Sequence, residues 1–248
     1  MTQAPLLPKK AMVLAAGFGK RMRPLTDALP KPLVEVGARS LLDRILDRLD
    51  AAGVEAVVVN LHHLGQQIER HLSDRTRPPL LFSREAEILE TGGGVKHALP
   101  ELGDAPFFVV NGDVLWLDGQ EPALSRLARA WRDEAMDALL MMQPIASAVG
   151  YDGQAGDFTM APGGRLRRRR ERETAPFIFA GIQVLHPRIL AGAPEGPFSL
   201  NLLFDKAEAA GRLWGVRHDG RWFHVGTPAA LAEAEAVLRD LAMNKGNR

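Results

Sequence analysis

Residues 14–33, LAAGFGKRMRPLTDALPKPL, bring two glycines, basic side chains and a Pro-Lys-Pro turn together directly after a short apolar run. Gly17 and Gly19 carry no Cβ, so the backbone there is free to take positive φ and to close its amides on an oxyanion. Arg21 and Lys31 add fixed positive charge beside that loop, and Pro30 and Pro32 clamp the lysine between two restricted φ angles. Such a place suits a polyphosphate. A second group follows the apolar run PFFVVNGD, where Asn111 and Asp113 stand at the carboxyl end of a strand, the end at which open α/β sheets bind ligands. Taken alone, an aspartate there is a turn former or a helix cap. A third is Glu90-Thr91-Gly92-Gly93-Gly94, whose glycines leave backbone groups open to a planar ligand edge; alone it reads as a flexible loop.

Periodicity supplies the elements that must position these groups. Residues 11–16 predict a strand leading into the glycine loop. Ser40 opens a helix with Asp43 as a short-armed capping-box partner. Leu41, Leu42, Ile45, Leu46 and Leu49 then share one face, and Gly53 ends the helix. VEAVVVN (54–60) is the continuous β-branched run of a parallel strand buried on both faces. LGQQIERHL (64–72) predicts a short helix and PLLFSRE (79–85) a strand, before ETGGGVKHAL, read as a second glycine loop feeding a helix. Strand and helix alternate through this half, which argues for a doubly wound, mostly parallel sheet.

The second half carries a helix near 121–135, a strand at 137–145, a hairpin over 157–161 and 165–173, and a buried strand at 176–186. A helix (198–211), the strand WGVRHD and a closing helix from 228 to about 242 complete it. Residues 1–8 and 243–248 are expected to fray. Six arginines between Arg165 and Arg172 read as a solvated hairpin edge that resists strand pairing, or as an attractor for an anionic partner. His62, His63 and His71 read as surface or packing residues.

At 248 residues the chain suits one large α/β domain. A formal charge of +1 gives no electrostatic case for nucleic acid or a membrane surface. The absence of cysteine removes disulfides, thiolate catalysis and cysteine zinc sites, and fits a reducing cytoplasm. Lys9 and Lys10 before AMVLAAGFG imitate a signal peptide, but the apolar part is short and KRMR follows it, so a buried first strand is expected. No run reaches the length of a membrane-spanning helix.

The spacing G-x-G-x-R-x-x-P-L-T…P-K-P-L resembles the signature of the sugar-1-phosphate nucleotidyltransferase family, and the likeness runs from Leu14 to the last helix. The resemblance implies a three-layer, Rossmann-like α/β nucleotidyltransferase domain over 1–248, with a mostly parallel mixed sheet and a small β extension. Residues 1–118 would form the nucleotide-binding half and 119–248 the sugar-binding half. It places Leu14, Ala15, Gly17, Gly19, Arg21, Glu90, Gly92 and Gly93 around the nucleotide, and Asn111, Gly156 and Gly181 on the sugar side. Asp113 matches the family's metal-binding aspartate, which implies Mg²⁺. Relatives read W-x-D-V-G-T-P where this chain has WFHVGTP, so His224 takes the place of a second metal-binding aspartate; an imidazole suits Mn²⁺ better than Mg²⁺. His224 is either a ligand there or a structural neighbour.

Arg21, Lys31 and Asp113 are thus the expected catalytic residues. The implied reaction joins a nucleoside triphosphate, UTP by the nearest branch, to a sugar 1-phosphate and releases pyrophosphate. That branch uses N-acetylmuramate 1-phosphate in cell-wall recycling, and the acceptors to weigh against it are glucose, mannose and N-acetylglucosamine 1-phosphates. A non-catalytic nucleotide-sugar-binding regulatory module is the alternative from another class, because the second aspartate is missing. The sequence leaves the oligomeric state open.

Overall fold

The computed structural model describes residues 7–151, 153 and 155–246. Its strands are β1 (Lys10–Leu14), β2 (Ala56–Leu61), β3 (Leu80–Arg84), β4 (Phe107–Asn111), β5 (Val114–Leu117) and β6 (Ala138–Pro144). They continue with β7 (Ala148–Val149), β8 (Phe158–Met160), β9 (Leu166–Arg168), β10 (Phe177–Leu185), β11 (Leu213–Arg217) and β12 (Arg221–His224). The helices are α1 (Leu25–Ala28), α2 (Leu41–Ala51), α3 (Gly65–His71), α4 (Glu90–His97), α5 (Leu99–Leu102), α6 (Ala123–Ala130), α7 (Leu200–Ala209) and α8 (Pro228–Gly246).

The main sheet runs β11-β6-β10-β4-β1-β2-β3. β1 pairs in parallel with β2 and β4, β2 with β3, and β6 with β11, while β10 is antiparallel to both β4 and β6. The carboxyl ends of β1 to β4 therefore open on one rim. The hairpin β8–β9 joins β10 at Phe158 opposite Phe177, and Gly215 donates to the Gly164 carbonyl, so the hairpin's turn covers the free edge of β11. A smaller sheet, β5-β12-β7, stands beside the rim. Its first strand, VLWL, begins one residue after Asp113, and the sequence reading missed it.

Local sequence explains how the sheet is packed. Ser40 accepts from the Asp43 amide at 3.0 Å and donates to its carboxylate at 2.7 Å, closing the first turn of α2. Leu42, Ile45, Leu46 and Leu49 of that helix are fully buried against Val13, Val57 and Val59. The opposite face of the sheet packs Met12, Val109 and Leu140 under Val95 of α4 and Leu203 and Phe204 of α7. Burial of this size on both faces fixes the register, since a one-residue slip would send each apolar row to the wrong side.

Three expectations change. α4 begins at Glu90 and contains Gly92, Gly93 and Gly94, so ETGGG is a helical turn and not a loop. The predicted helix at 121–135 is confined to Ala123–Ala130, because the Trp131 backbone turns extended. α8 continues to Gly246, so 243–246 are helical and not frayed; the expectation for 1–6, 247 and 248 lies outside the described residues. Among the described residues, no helix is long and apolar enough to cross a membrane.

Candidate active site

A cleft of about 350 Å³ lies on the rim where β1, β2 and β4 end. Leu14 lines it from the end of β1, Ala15, Gly17, Gly19 and Arg21 from the segment that follows, Lys31 and Pro32 from the Pro-Lys-Pro turn, and Asn111, Gly112 and Asp113 from the end of β4 and just beyond. Gly19 takes the positive φ of 62° that the motif requires, and its carbonyl accepts from Thr26 Oγ1 at 2.9 Å. Gly17 does not take positive φ; a Cβ there would meet nothing within 4 Å, so the backbone is open to an approaching ligand.

Lys31 is buried at 8% exposure in a single 3-10 turn, Lys31–Leu33, and its Nζ reaches Asp113 Oδ2 at 2.5 Å. Pro30, with φ −63° and ψ 137°, sets the entry to that turn. A cation and a carboxylate from residues 82 apart in sequence therefore meet beside the glycine loop. The Arg21 guanidinium has no hydrogen-bond or ion-pair partner among the described residues and remains available to an anion.

Polar residues that the sequence reading passed over form the other end. Asn60, at 3% exposure, accepts from the Ala15 amide at 2.7 Å and donates to Glu85 Oε1 at 2.6 Å; Glu85 Oε2 accepts from the Leu89 amide at 3.0 Å. Both line the cleft, with Ile88, Thr91 and the expected Glu90. The strand order β4-β1-β2-β3 separates the two ends, with Lys31 and Asp113 on the β4 side and Glu85 on the β3 side. The signal was there: Asn60 and Glu85 close apolar strand runs, as Asn111 and Asp113 do.

The remaining expected residues sit elsewhere. Gly92 and Gly93 do not line the cleft, since their amides donate to the Phe198 carbonyl at 2.8 and 3.1 Å. A Cβ on Gly92 would stand 2.3 Å from the Phe198 ring, and one on Gly93 2.4 Å from the Gly196 oxygen. These glycines let α4 approach the 196–198 segment. Gly92→Ala should therefore destabilise by about 1–3 kcal/mol through overpacking, although alanine is ordinarily the better helix former. Urea denaturation checks the sign.

Gly181 has φ 75°, and its Cβ would crowd Val114 Cγ1 at 2.5 Å and Asn111 Nδ2 at 3.0 Å, so it makes room for the Asn111 side chain. Gly156 faces the Ala175 carbonyl, which a Cβ would approach to 2.1 Å. Neither lines the cleft. Four of the arginines are engaged within the chain. Arg165 stacks on Trp214, Arg167 pairs with Glu173 and Arg168 with Asp205, while Arg169 donates to the Gly156 carbonyl.

His224 ends β12 opposite Val114, the residue after Asp113. Its ring lies 6.0 Å from Trp222 and 6.2 Å from Tyr151, and a Cβ on Gly226 would stand 2.2 Å from its Nε2. Among the described residues, no three His, Asp or Glu side chains are grouped to hold a metal. A single carboxylate such as Asp113, whose side chain is 38% exposed at the cleft, could hold a divalent cation. That fits Mg²⁺, which commonly takes one or two carboxylates and completes its shell with substrate phosphates and water.

A glycine loop, an arginine and a Lys–Asp pair on the rim of an α/β sheet have the chemistry that suits a polyphosphate. The nucleotidyl transferase family matches residues 10–152, and the chain belongs to that family. It is 44% identical to the N-acetylmuramate alpha-1-phosphate uridylyltransferase of Caulobacter vibrioides, over 97% of this chain and all of that one. It is 36% identical to the protein of the same name from Neisseria meningitidis serogroup B, over 92% and 97% of the two chains. A UDP-glucose pyrophosphorylase solved with UDP-glucose shares the fold at a TM-score of 0.76 and 16% identity, covering 94% of this chain and 98% of the other.

Proposed function

We propose that this chain, acting in the cytoplasm as one domain, transfers the uridylyl group of UTP to N-acetylmuramate 1-phosphate and releases pyrophosphate. The observation that carries the chemistry is the Lys31–Asp113 pair beside the glycine loop and Arg21. The choice of uridylyl donor and acceptor rests on the two relatives, which between them match nearly the whole chain.

The sugar phosphate already carries an oxyanion, so the reaction needs no strong general base. That oxygen attacks the α-phosphorus of UTP, the bond to the bridging oxygen breaks, and the electron pair leaves with pyrophosphate. Catalysis of this kind is mainly positioning and charge stabilisation. The open amides near Gly17 and the Arg21 guanidinium hold the triphosphate, while Lys31 neutralises oxygens of the α-phosphate and of the incoming phosphate. A divalent cation held by Asp113, Mg²⁺ or Mn²⁺, supplies further charge neutralisation when bound. The base lies toward Asn60, Glu85 and Thr91, whose polar groups replace the glycine backbone as the surface that reads it. Asn111, freed by Gly181, faces the sugar.

The test is pyrophosphate release with UTP and four acceptors, the 1-phosphates of N-acetylmuramate, N-acetylglucosamine, glucose and mannose. N-acetylmuramate 1-phosphate should have the highest kcat/KM, by about tenfold or more, because it alone of the four carries a lactyl carboxylate by which a site can tell it from the other sugars. A neutral sugar winning by a similar margin would leave the chemistry standing and remove the acceptor.

A further inference from the structure

Phe18 stands between the two glycines of the loop after β1, yet its ring serves neither the core nor the cleft wall. Gly17, Gly19 and Lys20 line the cleft, and the half-buried Phe18 ring packs instead on two histidines from the loop after β2. It meets His62 edge-on, with centroids 5.9 Å apart and planes at 89°, and His63 at 5.2 Å and 50°. Lys20 Nζ lies 5.4 Å from the ring centre. His62 is fixed in turn, because its Nδ1 bonds the Glu85 carbonyl oxygen at 3.0 Å. The Glu85 side chain holds Asn60, and Asn60 holds the Ala15 amide. The circuit returns to the glycine loop.

The loop needs such an anchor. Gly17 has no Cβ contact to make and is exposed, and a glycine-flanked segment loses more conformational entropy on ordering than any other. A phosphate-binding loop that orders only when the ligand arrives charges that entropy to affinity; one held beforehand does not. Phe18 is the side chain between Ala16 and Gly19, and its ring contacts, edge-on with His62 and tilted with His63, tie the loop to a second segment.

We infer that Phe18 is a positioning residue for the nucleotide. Its ring, seated on His62 and His63, preorganises the glycine loop and so sets affinity for the triphosphate without touching the reacting atoms. The inference rests on the proposed function only in taking UTP as the ligand.

The experiment measures KM and kcat for UTP by pyrophosphate release at saturating N-acetylmuramate 1-phosphate, and UTP binding by calorimetry, on the full chain. Phe18→Ala should raise KM and the UTP dissociation constant by about tenfold, roughly what two ring contacts are worth, with kcat within about twofold. Phe18→Tyr keeps the ring and should restore wild-type values. Phe18→Leu keeps apolar volume without the ring and should not. His63→Ala should weaken UTP alone but add little in the Phe18→Ala background, because the two act as one contact. The inference is overturned if Phe18→Ala binds UTP as wild type does, if leucine serves as well as tyrosine, or if the loss falls on kcat. Should the wild-type chain turn over no UTP, the functional reading fails, and the calorimetric comparison still decides the role of Phe18.

Discussion

Lys31→Ala should lower kcat by about a hundredfold or more while changing KM for UTP by much less, the pattern of an interaction made mainly in the transition state. The buried amine sits in a proline-framed turn with its charge delivered 2.5 Å from Asp113 Oδ2, so little reorganisation accompanies the reaction. Lys31→Arg should rescue poorly, since a planar guanidinium cannot replace a compact ammonium at that distance. Steady-state kinetics on protein with an unchanged melting curve would check both. Turnover near that of wild type in Lys31→Ala would remove the lysine from the catalytic group.

Asp113→Asn should be at least as damaging, with a loss on the order of a thousandfold. The amide keeps the shape and one neutral oxygen donor but loses the negative charge that both pairs Lys31 and attracts Mg²⁺. Raising Mg²⁺ or Mn²⁺ should recover only part of the activity. The companion change His224→Asp, opposite Val114 on the neighbouring strand, should keep or raise activity with Mg²⁺. Full activity of Asp113→Asn at ordinary metal concentrations would mean that the carboxylate plays no part.

The groups nearest in sequence were the most legible. Leu14, Gly19, Arg21 and Lys31 lie within 18 residues, and a short glycine loop followed by a Pro-Lys-Pro turn brings them to one wall of the cleft. The Ser40 cap and the apolar runs of β1, β2, β4 and β10 were visible because capping and double-sided burial leave local marks. What escaped depends on long-range packing. Three glycines argue for a loop by propensity, but the Phe198 ring and the Gly196 carbonyl occupy the space that side chains would fill, so tertiary contact makes them helical. Asn60 on β2 and Glu85 just past the end of β3 are 25 residues apart, and only the parallel pairing of β2 and β3 joins them. The partners of Phe18 were likewise beyond a sequence reading, for the ring meets a loop more than 40 residues away.

Direct product analysis tests the central claim that this site joins the uridylyl group of UTP to a sugar 1-phosphate. The chain is incubated with UTP, N-acetylmuramate 1-phosphate and Mg²⁺, and pyrophosphate is counted against nucleotide sugar by mass spectrometry. The account predicts the two products in equal amounts, with both cut by about a thousandfold in Asp113→Asn. Tight binding of UTP or of the nucleotide sugar with no pyrophosphate from any of the four acceptors, with Mg²⁺ or Mn²⁺, would contradict it and mark the chain as a binding module.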